Sequence, residues 1–261
     1  MTIYLYGFTG TPKETAIRIN REYPDFVLFR PEDIDDVSGE DVLIRYGKIE
    51  HPEIDDAFGL VLNKSKAIKR NRNKAKATRI IGEHGICVPV IIRQKSKVET
   101  FPVLGRRFWH ARGSDIIMIN CQEELEADME SEYWTPLIPS RMEFRVHVAG
   151  DEAIRISKKL RRTPDGHPFL RNHDRGWRFS DRFNIPRDIP ELMNLLWAVG
   201  TLSVKYVGLD WGAVDVLIGK ETPPKFYVLE VNSGPKLNRE GRMIWQRAMR
   251  NLMRKTKQST E

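Results

Sequence analysis

Two apolar segments near the C-terminus carry acidic side chains where a folded chain cannot readily leave them unpaired. The segment Ala213–Ile218 is apolar except for Asp215, and the segment Phe226–Leu229 runs directly into Glu230. Short apolar runs of this length predict buried β-strands. A carboxylate within a buried strand is costly unless a cation or a hydrogen-bonding partner offsets its desolvation. The sequence therefore predicts a sheet that carries a polar site.

The end of the second segment carries side chains that suit a metal ion. Glu230 and Asn232 are two residues apart, so on a strand their side chains leave the same face. Pairing of the two strands would bring Asp215 beside them. Carboxylate and amide oxygens are hard ligands that suit Mg²⁺. These three residues predict a Mg²⁺ site next to a nucleotide, with Mn²⁺ as the alternative ion.

Size and composition predict a soluble protein with a substantial core. The 261 residues are enough for one large domain or for two to three small lobes, and 40% of them are hydrophobic. No apolar stretch approaches the roughly 18 residues that span a bilayer, and the N-terminus lacks a signal-peptide pattern. Cys87 and Cys121 are far apart in the sequence, which predicts core positions in a reducing, cytoplasmic setting.

Charge is distributed unevenly along the chain. The first 60 residues carry 13 acidic and 6 basic residues, whereas the rest carry 23 and 37. Lys64–Arg79 holds eight basic residues and no acid, and the basic segment Lys158–Arg182 also contains Trp177 and Phe179. Basic residues interleaved with aromatic ones suit a single-stranded nucleic acid or an acidic peptide. The alternative is an ordinary solvated surface.

Strand and helix patterns predict three α/β or α+β lobes, at residues 1–62, 63–133 and 134–261. The first reads as a small unit with a parallel sheet of three strands around one helix. The elements predicted in the second are a helix over 73–84, strands over 88–93, 101–105 and 116–120, and a helix over 123–132. Those predicted in the third are strands over 142–148 and 153–157, a helix over 190–206, the two acid-bearing strands and a basic helix over 239–257.

These pieces, in this order, resemble the ATP-grasp superfamily of ATP-dependent carboxylate–amine ligases over about residues 63–237. The strongest signal is the sequence EVNSGP at Glu230–Pro235 with GAVD upstream at Gly212–Asp215. The resemblance is nearest to the branch with ribosomal-protein glutamate ligases and related small phage and bacterial proteins. It implies a leading α/β lobe followed by two lobes that clamp ATP.

The resemblance implies a set of ATP-binding residues. Lys74, eleven residues before Gly85, takes the position of the family's ATP-binding lysine, and Arg106 stands where a second lysine is usual. The segment Thr135–Ile138 matches the hinge whose backbone reads the adenine edge. The implied set is Lys74, Arg106, His110, Gly113, Ser114, Thr135, Pro136, Leu137, Ile138 and Glu143.

The resemblance also implies catalytic residues. Arg145 matches an arginine that holds the γ-phosphate or the acyl phosphate, so we predict that it stabilises the transition state. Lys158 or Lys159 matches a further basic position, for which we take Lys158. Asn172 belongs to an element near the acyl-phosphate site. Asp215, Glu230 and Asn232 match the family's Mg²⁺ ligands.

The function implied is an ATP- and Mg²⁺-dependent ligase that joins a carboxylate to an amine through an acyl phosphate, on a peptide, protein or nucleic-acid-linked substrate. Two departures favour a different class. The segment His110–Asp115 holds one glycine where the family has several, and Arg106 replaces a lysine. They suit a nucleotide-binding module without catalysis that contacts nucleic acid or protein through its basic face. A kinase on the same fold is a third interpretation. Dimers and tetramers are ordinary in the family.

Overall fold

The computed structural model describes residues 1–7, 11–108, 116–167, 169, 171 and 175–258. His110, Gly113, Ser114 and Asn172, all predicted site residues, lie outside the described residues. The described part of the chain forms three β-sheets and six α-helices. None of its helices is both long enough and apolar enough to cross a membrane.

The N-terminal lobe is built on a parallel sheet, as predicted, with four strands instead of the three expected. Its elements are β1 (Ile3–Gly7), α1 (Thr11–Glu22), β2 (Phe26–Leu28), β3 (Val42–Tyr46) and β4 (Leu60–Leu62). The strand order is β2-β1-β3-β4. The acidic segment after β2 contains a 3₁₀-helix, Pro31–Asp36. The fourth strand, β4, was not predicted.

The central lobe combines two short helices with a three-stranded antiparallel sheet. Its elements are α2 (Ser65–Arg72), α3 (Lys74–Glu83), β5 (Val103–Arg106), β6 (Ile117–Ile119), α4 (Gln122–Ala127) and β7 (Tyr133–Pro136). The strand order is β6-β5-β7. Because β7 pairs with β5, the residues from Trp134 to Pro136 lie in the central sheet and not with the strands that follow them. The three-lobe boundaries themselves remain a prediction.

Several predictions for this lobe were wrong. Residues 88–93 form no strand, and only Ile92 makes an isolated bridge, to Trp134. The helix predicted over 123–132 ends at Ala127, because the Asp128 carboxylate accepts hydrogen bonds from nearby backbone amides and from the Trp134 indole. The apolar run over 116–120 reads as a buried strand, yet two of the three residues of β6 are exposed. Cys87, predicted to be a core residue, is also exposed.

The C-terminal lobe is built on a five-stranded antiparallel sheet. Its elements are β8 (Ser140–Ala149), β9 (Glu152–Arg161), β10 (Trp177–Ser180), α5 (Leu192–Tyr206), β11 (Trp211–Gly219), β12 (Phe226–Asn232) and α6 (Arg239–Gln258). The strand order is β10-β9-β8-β11-β12. β9 and β10 extend into the segment 158–182, which was predicted to be irregular. α5 covers one face of the sheet, and the polar site lies on the other.

The helical spacing of residues 192, 195, 196, 199 and 202 predicts one apolar, buried stripe. The buried side of α5 differs from that stripe. Leu192 and Leu196 are fully buried, whereas Leu195 and Leu202 are each 38% exposed. Gly200 explains the orientation, because a Cβ on it would lie 2.6 Å from Val146 Cγ1. The helix therefore approaches the sheet along its glycine side.

α6 joins the first sheet to the third. Trp245 of this helix packs against Tyr46 of β3 and Trp211 of β11, with ring centroids 5.6 and 5.3 Å away. The Tyr46 hydroxyl donates to the carbonyl of Pro235, immediately after the second acid-bearing strand. The N-terminal lobe and the polar site are thus held against each other by an aromatic core.

Candidate nucleotide and metal site

Strand pairing brings the predicted metal ligands together on one face of the five-stranded sheet. Asp215 of β11 lies directly opposite Glu230 of β12 on one side and Arg145 of β8 on the other. Asn232 follows on β12, and its Nδ2 donates to Glu230 Oε1 over 2.8 Å. Glu230 and Asn232 thus lie on the same face of β12, the geometry that the two-residue spacing predicted.

Asp215 is buried and held by two cations. Arg145 binds it through both ends of its guanidinium, with Nε 2.7 Å from Oδ1 and Nη2 2.8 Å from Oδ2. Lys159 Nζ lies 2.9 Å from Oδ2. Burial alone would raise the pKa of Asp215, but Arg145 and Lys159 outweigh it and hold the pKa well below its ordinary value. From the sequence alone, Arg145 could instead pair with Glu143 on the same sheet face. In the structure it binds Asp215.

Glu143 extends the network towards β9. It is only 3% exposed and accepts a hydrogen bond from Lys159 Nζ, and Arg171 Nε lies 3.7 Å from its other oxygen. Burial raises the pKa of Glu143, and Lys159 partly offsets that shift. Lys159, on β9, thus links Glu143 on β8 with Asp215 on β11. Sequence reasoning had chosen its neighbour Lys158, which pairs with Phe144 and so lies on the opposite face of the sheet.

Replacing Lys159 with methionine should destabilise the protein far more than the same change at Lys158. The first change leaves buried Glu143 with only the more distant Arg171, which costs about 3–5 kcal/mol, whereas the second removes no buried ion pair. Urea unfolding of the two variants measures the difference. Equal losses of unfolding free energy would contradict the placement of Lys159 in the network.

Lys74 links the site to the central lobe. It is the first residue of α3, where the Asn73 side chain caps the helix by accepting from the Lys76 amide. Its Nζ donates to the Val231 carbonyl over 2.9 Å and lies 3.8 Å from Glu230 Oε2. Burial raises and Lys74 lowers the pKa of Glu230, and the net shift is downward.

A cleft between the central sheet and β12 adjoins Glu230. The residues that line it are Lys74, Thr78, Pro89, Ile91, Arg106, Tyr133, Thr135, Leu229 and Glu230. Arg106 Nε and Thr135 Oγ1 are buried there, and no hydrogen-bond partner for either lies in the part of the chain that the structure describes. Buried polar atoms that the protein leaves unpaired are suited to a polar ligand. The polar lining of the cleft is therefore suited to the phosphates or the base of a nucleotide.

The cleft is narrow in this conformation. It has about 10 Å³ of enclosed space, room for about one water molecule. A nucleotide therefore needs the central and C-terminal lobes to separate. Of the predicted adenine hinge, Thr135 lines the cleft, but Pro136, Leu137 and Ile138 do not. The Leu137 amide is already bonded to the Pro102 carbonyl, so it is not free to read a base.

The donor set fits Mg²⁺. Asp215 and Glu230 supply carboxylates, and Asn232 supplies an amide oxygen. Within the described ranges, no three His, Cys, Asp or Glu side chains gather closely enough to hold a metal ion. With the amide oxygen of Asn232 as the third donor the set is all oxygen, which suits a hard ion.

Two further side chains border the network. The alternation of His147 with Val146 and Val148 predicts a packed or outward strand residue. His147 is buried, and burial together with Arg145 and Arg155 lowers its pKa to about 3. The ring of Phe179, on β10, lies 4.6 Å from the Arg145 guanidinium. Sequence reasoning had noted Phe179 only within a basic segment, since the pairing of β9 with β10 was needed to place it.

Comparison with known proteins identifies the fold. No family model and no curated protein sequence matches the chain. Among solved structures, the D-alanine–D-alanine ligase from Bacillus anthracis matches with a TM-score of 0.72 and 12% identity over 99% of both chains. The ATP-grasp ligase PsnB complexed with its minimal precursor matches with a TM-score of 0.62 and 13% identity, over 92% of this chain and 93% of that one.

A third match is the N5-carboxyaminoimidazole ribonucleotide synthetase from Thermotoga maritima. Its TM-score is 0.59 and its identity 14%, over 88% of this chain and 68% of that one. The chain has the fold of the ATP-grasp ligases, as the motif at Glu230–Pro235 predicted. At these identities the likeness defines the fold, and the activity has to be argued from the site.

Proposed function

We propose that this chain is an ATP- and Mg²⁺-dependent ligase that joins a carboxylate to an amine through an acyl phosphate. The observation that carries the proposal is the meeting of Asp215, Glu230 and Asn232 on one sheet face, with Arg145, Lys159 and Lys74 around them. Three oxygen ligands beside three cations suit a metal-bound triphosphate.

Structures of the same fold support this proposal. One match is the D-alanine–D-alanine ligase from Bacillus anthracis complexed with ATP, and another is PsnB complexed with a precursor variant, Mg and ADP. Asp215, Glu230 and Asn232 would hold Mg²⁺, which would neutralise phosphate charge when bound. Lys74 and Arg106 would bind phosphate oxygens.

The proposed reaction depends on substrate positioning and charge neutralisation more than on a covalent bond to the protein. A carboxylate oxygen of the acid substrate attacks the γ-phosphorus, forming an acyl phosphate and releasing ADP. The amine then attacks the acyl carbon, phosphate leaves and the amine loses a proton. Arg145, fixed on Asp215 beneath Phe179, would stabilise the oxyanion of the second step. Closure of the narrow cleft would keep water from the acyl phosphate.

Screening amino acids, peptides and oligonucleotides for stimulated ADP release tests the function. A ligase releases ADP and phosphate only when a carboxylate and an amine are both present. Omission of either substrate is the control. A kinase would instead leave a stable phosphorylated product, and a binding module would show stabilisation by MgATP without turnover, so both rival functions appear as distinct outcomes.

The acid and amine partners are proposed only as a class. The basic stretches Lys64–Arg79 and Lys158–Arg182 suit an extended anionic substrate, either a peptide or a nucleic-acid-linked carboxylate. Binding of such a substrate should weaken steeply as salt rises, and a flat response would leave a small acid as the substrate.

A further inference from the structure

The carbonyl of Val231 lies between two of the proposed metal ligands, Glu230 and Asn232. It belongs to β12, an edge strand that has β11 on one side and no other strand of the described sheets on the other. Val231 is fully buried, so its carbonyl needs a hydrogen-bond partner. Two side chains donate to it, Asn71 Nδ2 and Lys74 Nζ, each over 2.9 Å.

The break between α2 and α3 places both donors over this one oxygen. Asn71 lies in the last turn of α2, and Lys74 begins α3 three residues later. Asn71 is 1% exposed, and its Oδ1 is buried without a hydrogen-bond partner among the described residues. An unpaired buried amide oxygen destabilises a fold, so a leucine of similar size would suit this position better if it only filled space. What the position uses is the amide donor.

We propose that Asn71 is a positioning residue that keeps the Val231 carbonyl paired when Lys74 turns to a phosphate of the nucleotide. The inference rests on the proposed function, which gives Lys74 that phosphate. With two donors on the carbonyl, one can leave without exposing a buried oxygen. Without Asn71, Lys74 must either stay on the carbonyl or leave it unpaired, and both outcomes weaken nucleotide binding.

Asn71→Leu is the first test. Titration calorimetry should show the dissociation constant of MgATP rising about 10-fold, the loss of about one hydrogen bond. The melting temperature without nucleotide should change by less than about 2 °C, because Lys74 still pairs with the carbonyl. The matched control is Ile68→Val, a buried residue on the same helix. It should lower the melting temperature slightly and leave the MgATP affinity unchanged.

The double variant Asn71→Leu/Lys74→Met tests the sharing of the carbonyl without any ligand. It removes both donors, so the melting temperature should fall at least about 3 °C further than the sum of the two single changes. A double variant that does not fold, where both single variants fold, is the same result in a stronger form. Additive shifts would show that the two donors act separately and would overturn the inference.

The outcomes separate this inference from the function on which it rests. If the wild-type protein binds MgATP and Asn71→Leu binds it equally well, Asn71 has only a structural role and the inference alone is overturned. If the wild-type protein does not bind MgATP, the proposed function fails and the inference fails with it.

Discussion

Replacing Glu230 with alanine should abolish Mg²⁺-dependent binding of ATP while the protein stays folded. The change removes one of two carboxylate ligands, and we expect affinity to fall at least about 100-fold, because even residues outside the ligand shell contribute 10–100-fold. The side chain of Glu230 is 30% exposed, and its ion pair with Lys74 is 3.8 Å long. Its loss should therefore change the free energy of unfolding by about 1 kcal/mol or less.

Titration calorimetry in Mg²⁺ and in a chelator measures this effect. Asn232→Ala should behave in the same way, because the amide oxygen completes the ligand set. The matched control is Glu152→Ala, an exposed glutamate of the same sheet that pairs with Lys255 on α6. Unaltered Mg²⁺-dependent binding in both Glu230→Ala and Asn232→Ala would remove the assignment of the metal site.

Replacing Arg145 with methionine should reduce both turnover and stability. Loss of a preorganised donor to developing charge costs about 10²–10³-fold in turnover. Loss of one partner from a buried ion pair costs about 3–5 kcal/mol of unfolding free energy, because Asp215 stays charged and keeps only Lys159. ADP release and urea unfolding measure the two effects. Turnover equal to that of the wild type would exclude Arg145 from the reaction.

A double variant separates the two roles of Arg145. Arg145→Met/Asp215→Asn carries no buried charge at this pair, so it should recover most of the stability that Arg145→Met loses, but no turnover. Arg145→Lys keeps the charge and loses the two-pronged contact at 2.7 and 2.8 Å, so it should be more stable than Arg145→Met and still slow. Because Asp215 is also a proposed Mg²⁺ ligand, recovery of turnover in the double variant would contradict the proposed roles of both residues.

Long elements with a clear period were predicted well. β8 and α6 were expected over 142–148 and 239–257 and are found at Ser140–Ala149 and Arg239–Gln258. Short elements in the central lobe were not, because the outcome depends on distant partners. Residues 88–93 look like a strand, but the only pairing they find is a single bridge from Ile92. The acidic run after Cys121 looks like a longer helix, but Asp128 finds stronger local hydrogen bonds.

The same limit applies within the site. The two-residue spacing of Glu230 and Asn232 predicts a shared face wherever the strand lies. The choice between Lys158 and Lys159 cannot be made in that way, since adjacent residues on a strand point to opposite faces and only the pairing of β9 with β8 decides between them. The narrow cleft likewise depends on how the central sheet packs against β12, and the engaged amide of Leu137 depends on the pairing of β5 with β7.

Local spacing along the chain was sufficient to predict strands that carry Asp215, Glu230 and Asn232, because side-chain direction on a strand follows from geometry over a few residues. The partners of those side chains come from far away. Arg145 is 70 residues from Asp215, and Lys74 is 157 residues from the carbonyl to which it donates. Such contacts depend on sheet register and on how helices pack against sheets, which no short stretch of sequence encodes. Folding is therefore what turns three acidic and amide side chains into a site surrounded by cations.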